Sequence, residues 1–217
     1  MIDYSKLKEF SDNIELEVKN FVDSFSMQVS QNGKDSYSSM ISYFNDNDSC
    51  SFVIVAKPSE NKNQMYSHLC QMLFAYPALN SKFFIFASDV RASIYDTQKP
   101  ESKNADPLEA LMLIFVSNDA SASLKIPYTI VENFSNASKE SVQWSFDQAE
   151  ITSLTKHDPT EVYQGDIVEL LYVMSQIKSS PFTFPQLLNF YSHWGFECKV
   201  NDKAILDKIE MKVNYND

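Results

Sequence analysis

The sequence predicts an α+β protein: a mostly antiparallel sheet of about five strands, helices on one face, and a helical C-terminal region. Three observations carry this reading. The first 26 residues place apolar side chains at spacings of three and four, the period of an amphipathic helix. Between about residues 37 and 146, short apolar or alternating runs are separated by polar turns, the pattern of successive strands. Beyond about residue 155 the helical period returns. Runs of strands followed by runs of helices indicate α+β rather than a parallel α/β sheet. A chain of 217 residues can bury about 70% of its surface, enough for one substantial core. The expected organisation is an α+β core over 1–155 and a helical extension over 156–217 packed on it.

The elements follow in order. Leu7, Phe10, Ile14, Val18, Phe21 and Phe25 define the apolar stripe of a helix over 4–26, while Lys8, Glu15, Lys19 and Asp23 fall on other faces. Such a stripe suits a core, and a Phe-rich one also suits a partner groove. Residues 37–44 fit strand or helix. Asn45 to Asp48 is a turn before a buried strand at 51–56. Met65, Leu69, Met72, Leu73 and Tyr76 share one side of a helix over 64–76, closed by Pro77. Residues 82–87 form a strand that continues toward Tyr95.

Asp96 to Pro107 is a long polar connection. Ala110 to Val116 is an unbroken apolar run of seven, a strand covered on both faces. Residues 124–132 alternate in part, and Pro127 argues for an edge position or a bulge. Ser141 to Phe146 alternates as a half-exposed strand. In the C-terminal part, helices are expected over 166–178 and 184–194, with a third, short one over 202–211. Thr183, Pro185 and Gln186 open the second helix, Leu187, Leu188, Tyr191 and Trp194 line it, and Gly195 stops it.

Composition removes several function classes. Only Gly33, Gly165 and Gly195 occur, so neither a Rossmann loop nor a P-loop can be built. The net charge is −11, both halves of the chain are acidic, and residues 140–170 hold seven acids against one base. Nucleic-acid binding needs a cationic face, so no nucleic acid is expected, and anionic membranes are disfavoured likewise. The apolar run of seven is far short of the roughly 20 residues that span a bilayer, and the N-terminus lacks the pattern of a signal peptide. Cys50, Cys70 and Cys198 are odd in number and widely spaced, which fits free thiols in a reducing, cytoplasmic setting. No Cys or His spacing matches a metal site, and no cofactor is implied. Asp46-x-Asp48 lacks the later ligands of a calcium loop and reads as a polar turn.

The candidate chemistry clusters around the long connection. Arg91 is the sole arginine, so bidentate capture of a carboxylate or phosphate can occur only there. Asp89 is two residues away and shares its face on a strand, which fits a surface ion pair or an anion site. Glu101, Asp106 and Glu109 lie in or beside the 96–109 loop and read as solvated charges or as paired carboxylates for acid–base work. His68 and Cys70, two apart on a helix, cannot share a metal, His157 precedes a helix cap and His193 ends a helix, while spacing leaves open whether any of the three histidines serves a Ser or Cys nucleophile.

The stretch from Ser88 to Asn133 holds Asp89-Val90-Arg91, Lys99-Pro100-Glu101-Ser102 and Asp106-Pro107-Leu108-Glu109-Ala110-Leu111-Met112. It resembles a group of uncharacterised phage- and bacteria-encoded proteins with a Pro-Ser-x-Asp-Pro loop and a Glu-Ala-Leu-Met strand. That resemblance implies a strand–loop–strand unit and carries no activity.

The functional expectation is a non-catalytic factor of inhibitor, immunity or adaptor type that binds a basic protein surface. The alternative is a small-molecule binder or enzyme with its site at Arg91 and the 96–109 loop. A large exposed apolar patch rimmed by acids would favour the first, and a concave pocket with convergent polar groups the second.

Overall fold

The computed structural model describes residues 2–33, 37–56, 62–92, 108–132, 140–154 and 182–203, with 171, 176, 177, 179, 180 and 205. After a 3-10 turn at Tyr4–Leu7 come α1 (Ile14–Asn32), β1 (Met40–Phe44), β2 (Cys50–Val55), α2 (Lys62–Met72) and α3 (Ala75–Leu79). These are followed by β3 (Phe83–Ala92), β4 (Leu108–Ser117), β5 (Ser121–Glu132), β6 (Glu140–Trp144) and β7 (Glu150–Leu154). The last two elements are α4 (Phe184–Trp194) and β8 (Glu197–Val200). The fold is α+β, and every strand pairing is antiparallel.

The sheet has eight strands rather than about five, in the order β6-β5-β4-β3-β1-β2-β8, with β7 also on β5. β6 and β7 run beside successive halves of β5 and are separated by a 3-10 turn at Phe146–Gln148, so they form one interrupted edge. Pro127 sits where that edge is interrupted. Its carbonyl accepts from the Ser145 N–H at 2.9 Å, so its missing N–H also faces outward, at the end of the β6 ladder. β5 is therefore an inner strand that tolerates a proline, rather than the expected edge. β7 and β8 are too short and too polar to stand out from turns by alternation. Pairing with β5 and β2 organises them.

Helices cover both faces, not one. Strand alternation sends Phe83, Ile85 and Ala87 to α1, with Leu111, Leu113 and Phe115 beside them. Phe84, Phe86, Ile114 and Val116 point the other way, to α2, α3 and α4. The buried run in β4 is thus shared between two cores, as its unbroken apolar pattern requires.

All six residues of the N-terminal stripe are buried, although the helix is broken. The Ser11 hydroxyl accepts from the Asn13 N–H at 3.0 Å and diverts the backbone before α1 begins. That burial withdraws the Phe-rich stripe as a partner-binding face. On the opposite side, α4 carries the expected capping box between Thr183 and Gln186 and ends at Gly195 (φ 77°). There the Phe196 N–H reaches the Tyr191 carbonyl at 2.9 Å. Leu187 and Tyr191 are buried, but Trp194, read from the sequence as lining the same stripe, is 57% exposed. The predicted helix over 166–178 lies outside the described residues apart from helical Leu171 and positions 176 and 177, as does most of 202–211.

Candidate functional site

The residues singled out around Arg91 divide into two groups. Glu101 and Asp106 lie outside the described residues. Asp89 and Arg91 are on β3, and Glu109 on β4 stands directly opposite Arg91 in the ladder. Glu109 is in turn opposite Tyr128 of β5. Three of the five positions thus meet at one end of the central strands. The described partner of Asp89 is Tyr128, whose hydroxyl donates to its Oδ1 at 2.7 Å.

Tyr37 lies beside this pair, buried, with its hydroxyl unpartnered among the described residues. Burial, and then the charge of Asp89, push the Tyr37 phenol well above the ordinary tyrosine range. Behind it, Phe25 packs on Tyr37 and Tyr128 at centroid distances of 4.6 and 4.9 Å. Trp144 closes the group, donating from Nε1 to the Ser26 Oγ at 3.0 Å. Rings this close fill their own space, so this end of the sheet is a packed polar–aromatic junction.

Other sequence-level candidates resolve into structure. Asp48 accepts from Lys82 at 2.6 Å, and the Asn45 side chain accepts from the Asn47 and Ser49 N–H groups, which makes Asn45–Asp48 a polar turn. Burial pushes the Cys50, Cys70 and Cys198 thiols up, so they carry little thiolate at neutral pH. Burial lowers His68, whose ring lies edge-on to Phe196 at 5.4 Å. Among the described residues no three His, Cys, Asp or Glu side chains gather as a metal site requires. Among them also, no helix is long and apolar enough to cross a membrane.

The feature that element-by-element reading missed is the surface of the α2–α3–α4 layer. Residues 63–81 and 179–196 contain no Lys, Arg, Asp or Glu, in a chain with 22% charged residues. The fold brings these two charge-free stretches together. Phe74 packs edge-on to Phe182 and Phe190 at 6.0 and 6.5 Å. Phe182 stacks on Phe190 at 6.2 Å, and Trp194 adjoins Phe190 at the same distance. Phe182 is 36% exposed and Trp194 57%. Around them Gln186, Asn189, Ser192 and His193 are exposed and formally uncharged. The absence of charge over these stretches was visible in the sequence; their adjacency was not.

No family model, curated protein or solved structure matches the chain.

Proposed function

We propose that the protein is a non-catalytic protein-binding factor whose contact surface is the uncharged aromatic face of α4. One observation carries this reading: two long charge-free stretches meet and expose Phe182 and Trp194 on a chain of net charge −11. Interface centres are depleted in charge and enriched in aromatic side chains, and tryptophan is prominent among the residues that dominate binding energy. The partner is a protein with an apolar contact patch and a net positive charge. The acidic remainder of this chain would steer that partner in, with an on-rate that falls as salt rises. Three thiols without a disulfide suit a reducing compartment, and we place the protein in the cytoplasm.

The test places a photo-crosslinking amino acid at position 194 and, as a control, at the exposed position of Glu9. A partner trapped only from position 194 is purified and titrated against wild type and Trp194→Ala. The reading expects at least about 30-fold weaker binding by the variant, at unchanged melting temperature. Equal affinity for wild type and variant overturns it, as does a failure to trap any protein. A crosslinked dimer of this chain also overturns it, because the occupant would then be a second copy. A small molecule that binds wild type and is lost in Arg91→Lys, with no partner trapped, would move the function to the Asp89–Arg91–Glu109 end of the sheet.

A further inference from the structure

α1 ends on a residue pair whose chemistry the fold does not use. Gly33 closes the helix at φ 85° and ψ 167°, with its N–H donating to the Val29 carbonyl at 2.9 Å. A backbone at those angles is essentially restricted to glycine, so this helix end requires one. Gly33 also lies against β6, where a Cβ on it would stand 3.8 Å from the Glu140 Oε2. The residue before it, Asn32, is the last of α1 and is exposed to solvent. The helix end therefore carries an Asn-Gly pair, the only one in the sequence.

An asparagine side chain can be attacked by the backbone nitrogen of the next residue. Here the Gly33 nitrogen forms a bond to the Asn32 Cγ and gives up its proton to solvent. The Cγ–Nδ2 bond breaks, ammonia leaves, and a cyclic imide remains. Water then opens the ring. Opening at Cγ gives aspartate, and opening at the main-chain carbonyl gives isoaspartate, so the net change is amide plus water to carboxylate plus ammonium. Glycine has no side chain to shield its nitrogen. The bond from the Gly33 N–H to Val29 must open first, but it is the terminal bond of α1, and helix ends open at the lowest free energy in a folded chain. We infer that Asn32 is a site of spontaneous deamidation in the folded protein, and that its isoaspartyl form loosens the end of α1. Isoaspartate adds one methylene to the main chain, which carries the Gly33 N–H out of line with the Val29 carbonyl. It also sets a carboxylate at the negative end of the helix dipole. α1 packs on the sheet face opposite α4, so the inference stands independently of the protein-binding proposal.

The test incubates the full folded chain at neutral pH and physiological temperature and follows its tryptic peptides by mass spectrometry. The expected result is that the Asn20–Lys34 peptide gains aspartyl and isoaspartyl forms at position 32 before any other asparagine-bearing peptide changes. Asn32→Gln should abolish that change and keep the melting temperature of wild type, since glutamine would have to close a larger ring. The deamidated fraction, separated by ion exchange, should melt about 2–4 °C below the unmodified chain, the shift that one lost hydrogen bond produces at this chain length. It should also melt below Asn32→Asp, which carries the charge without the added methylene. Three results would overturn the inference: another asparagine modified first; modification at position 32 only after urea has unfolded the chain; or a deamidated fraction that melts with the unmodified protein.

Discussion

The two helical layers cover the same sheet by different means. α1 is a single 19-residue helix with Glu15, Lys19 and Asp23 on its outer side and an apolar stripe beneath. It meets the sheet through apolar and ring contacts, such as Phe25 on Tyr128 and Trp144 at 4.9 and 5.4 Å, and through the Trp144–Ser26 hydrogen bond. The opposite layer is assembled from two charge-free stretches about 100 residues apart in sequence. It is joined by tyrosine hydroxyls as well as by apolar contact.

Tyr43 of β1 donates to the Met72 carbonyl at 2.6 Å, and Tyr191 of α4 reaches the Gln71 and Met72 carbonyls at 3.1 Å each. These carbonyls end α2 and have no partner within that helix. Two distant tyrosines thus serve as its C-terminal caps and fix how α2 and α4 sit together. One amphipathic helix needs only a stripe to dock. A layer built from separate pieces needs directional bonds to set its arrangement, and it can then present an uncharged outer surface.

The largest expected effect tests the apolar layer. Phe25→Ala removes a ring in contact with Tyr37, Tyr128 and Trp144 and should lower stability by about 3–5 kcal/mol in urea unfolding. A loss below about 1 kcal/mol would show that α1 collapses freely onto the vacancy, and the contrast between layers would weaken.

Next come the directional bonds of the other layer. Tyr191→Phe and Tyr43→Phe should each cost about 0.5–1.5 kcal/mol, the net worth of one hydrogen bond, because the Met72 carbonyl keeps the other tyrosine. Only the double variant leaves the Met72 carbonyl without either hydroxyl, so it should lose more than the sum of the singles. Strict additivity in the double-mutant cycle would mean that the two tyrosines act separately.

The same substitution on the α1 side should behave in the opposite way. The Tyr37 hydroxyl is buried without a partner among the described residues, so Tyr37→Phe should gain up to about 1 kcal/mol. A loss would mean that Tyr37 bonds in solution.

The smallest effect concerns Glu17 on α1. Burial holds its carboxyl above the ordinary glutamate value of 4.5, against the opposing pull of a hydrogen bond with Asn20. The folded state therefore binds this proton more tightly than the unfolded state. The stabilisation is fully present below pH 4.5 and is lost as pH rises through the folded value. Glu17→Gln should melt above wild type at pH 7, with the difference closing near pH 4. A difference independent of pH would point to packing instead.

Much of the sheet was legible because its signals are local. The apolar runs at 51–56, 82–87 and 110–116 became β2, β3 and β4, and the Thr183–Gln186 signature opened α4 where expected. Arg91 and Glu109 could be named as residues of interest, but their cross-strand pairing depends on the register of β3 and β4. Trp194 was misassigned to the buried stripe because it is spaced at i+3 from Tyr191. That spacing does not record that the helix ends there, next to Gly195, with Phe190 rather than the sheet beneath the indole.

By itself, then, the sequence determined the α+β class, the buried N-terminal stripe, the strongest strands, the ends of α4 and the absence of glycine-rich nucleotide loops. Each follows from periodicity, capping or composition, which act over a few residues. Only the tertiary structure decided that helices cover both faces and that β7 and β8 join the sheet. It also decided that the charge-free stretches meet. These outcomes depend on pairings between residues far apart in the chain, whose energies arise only when the backbone brings them into contact.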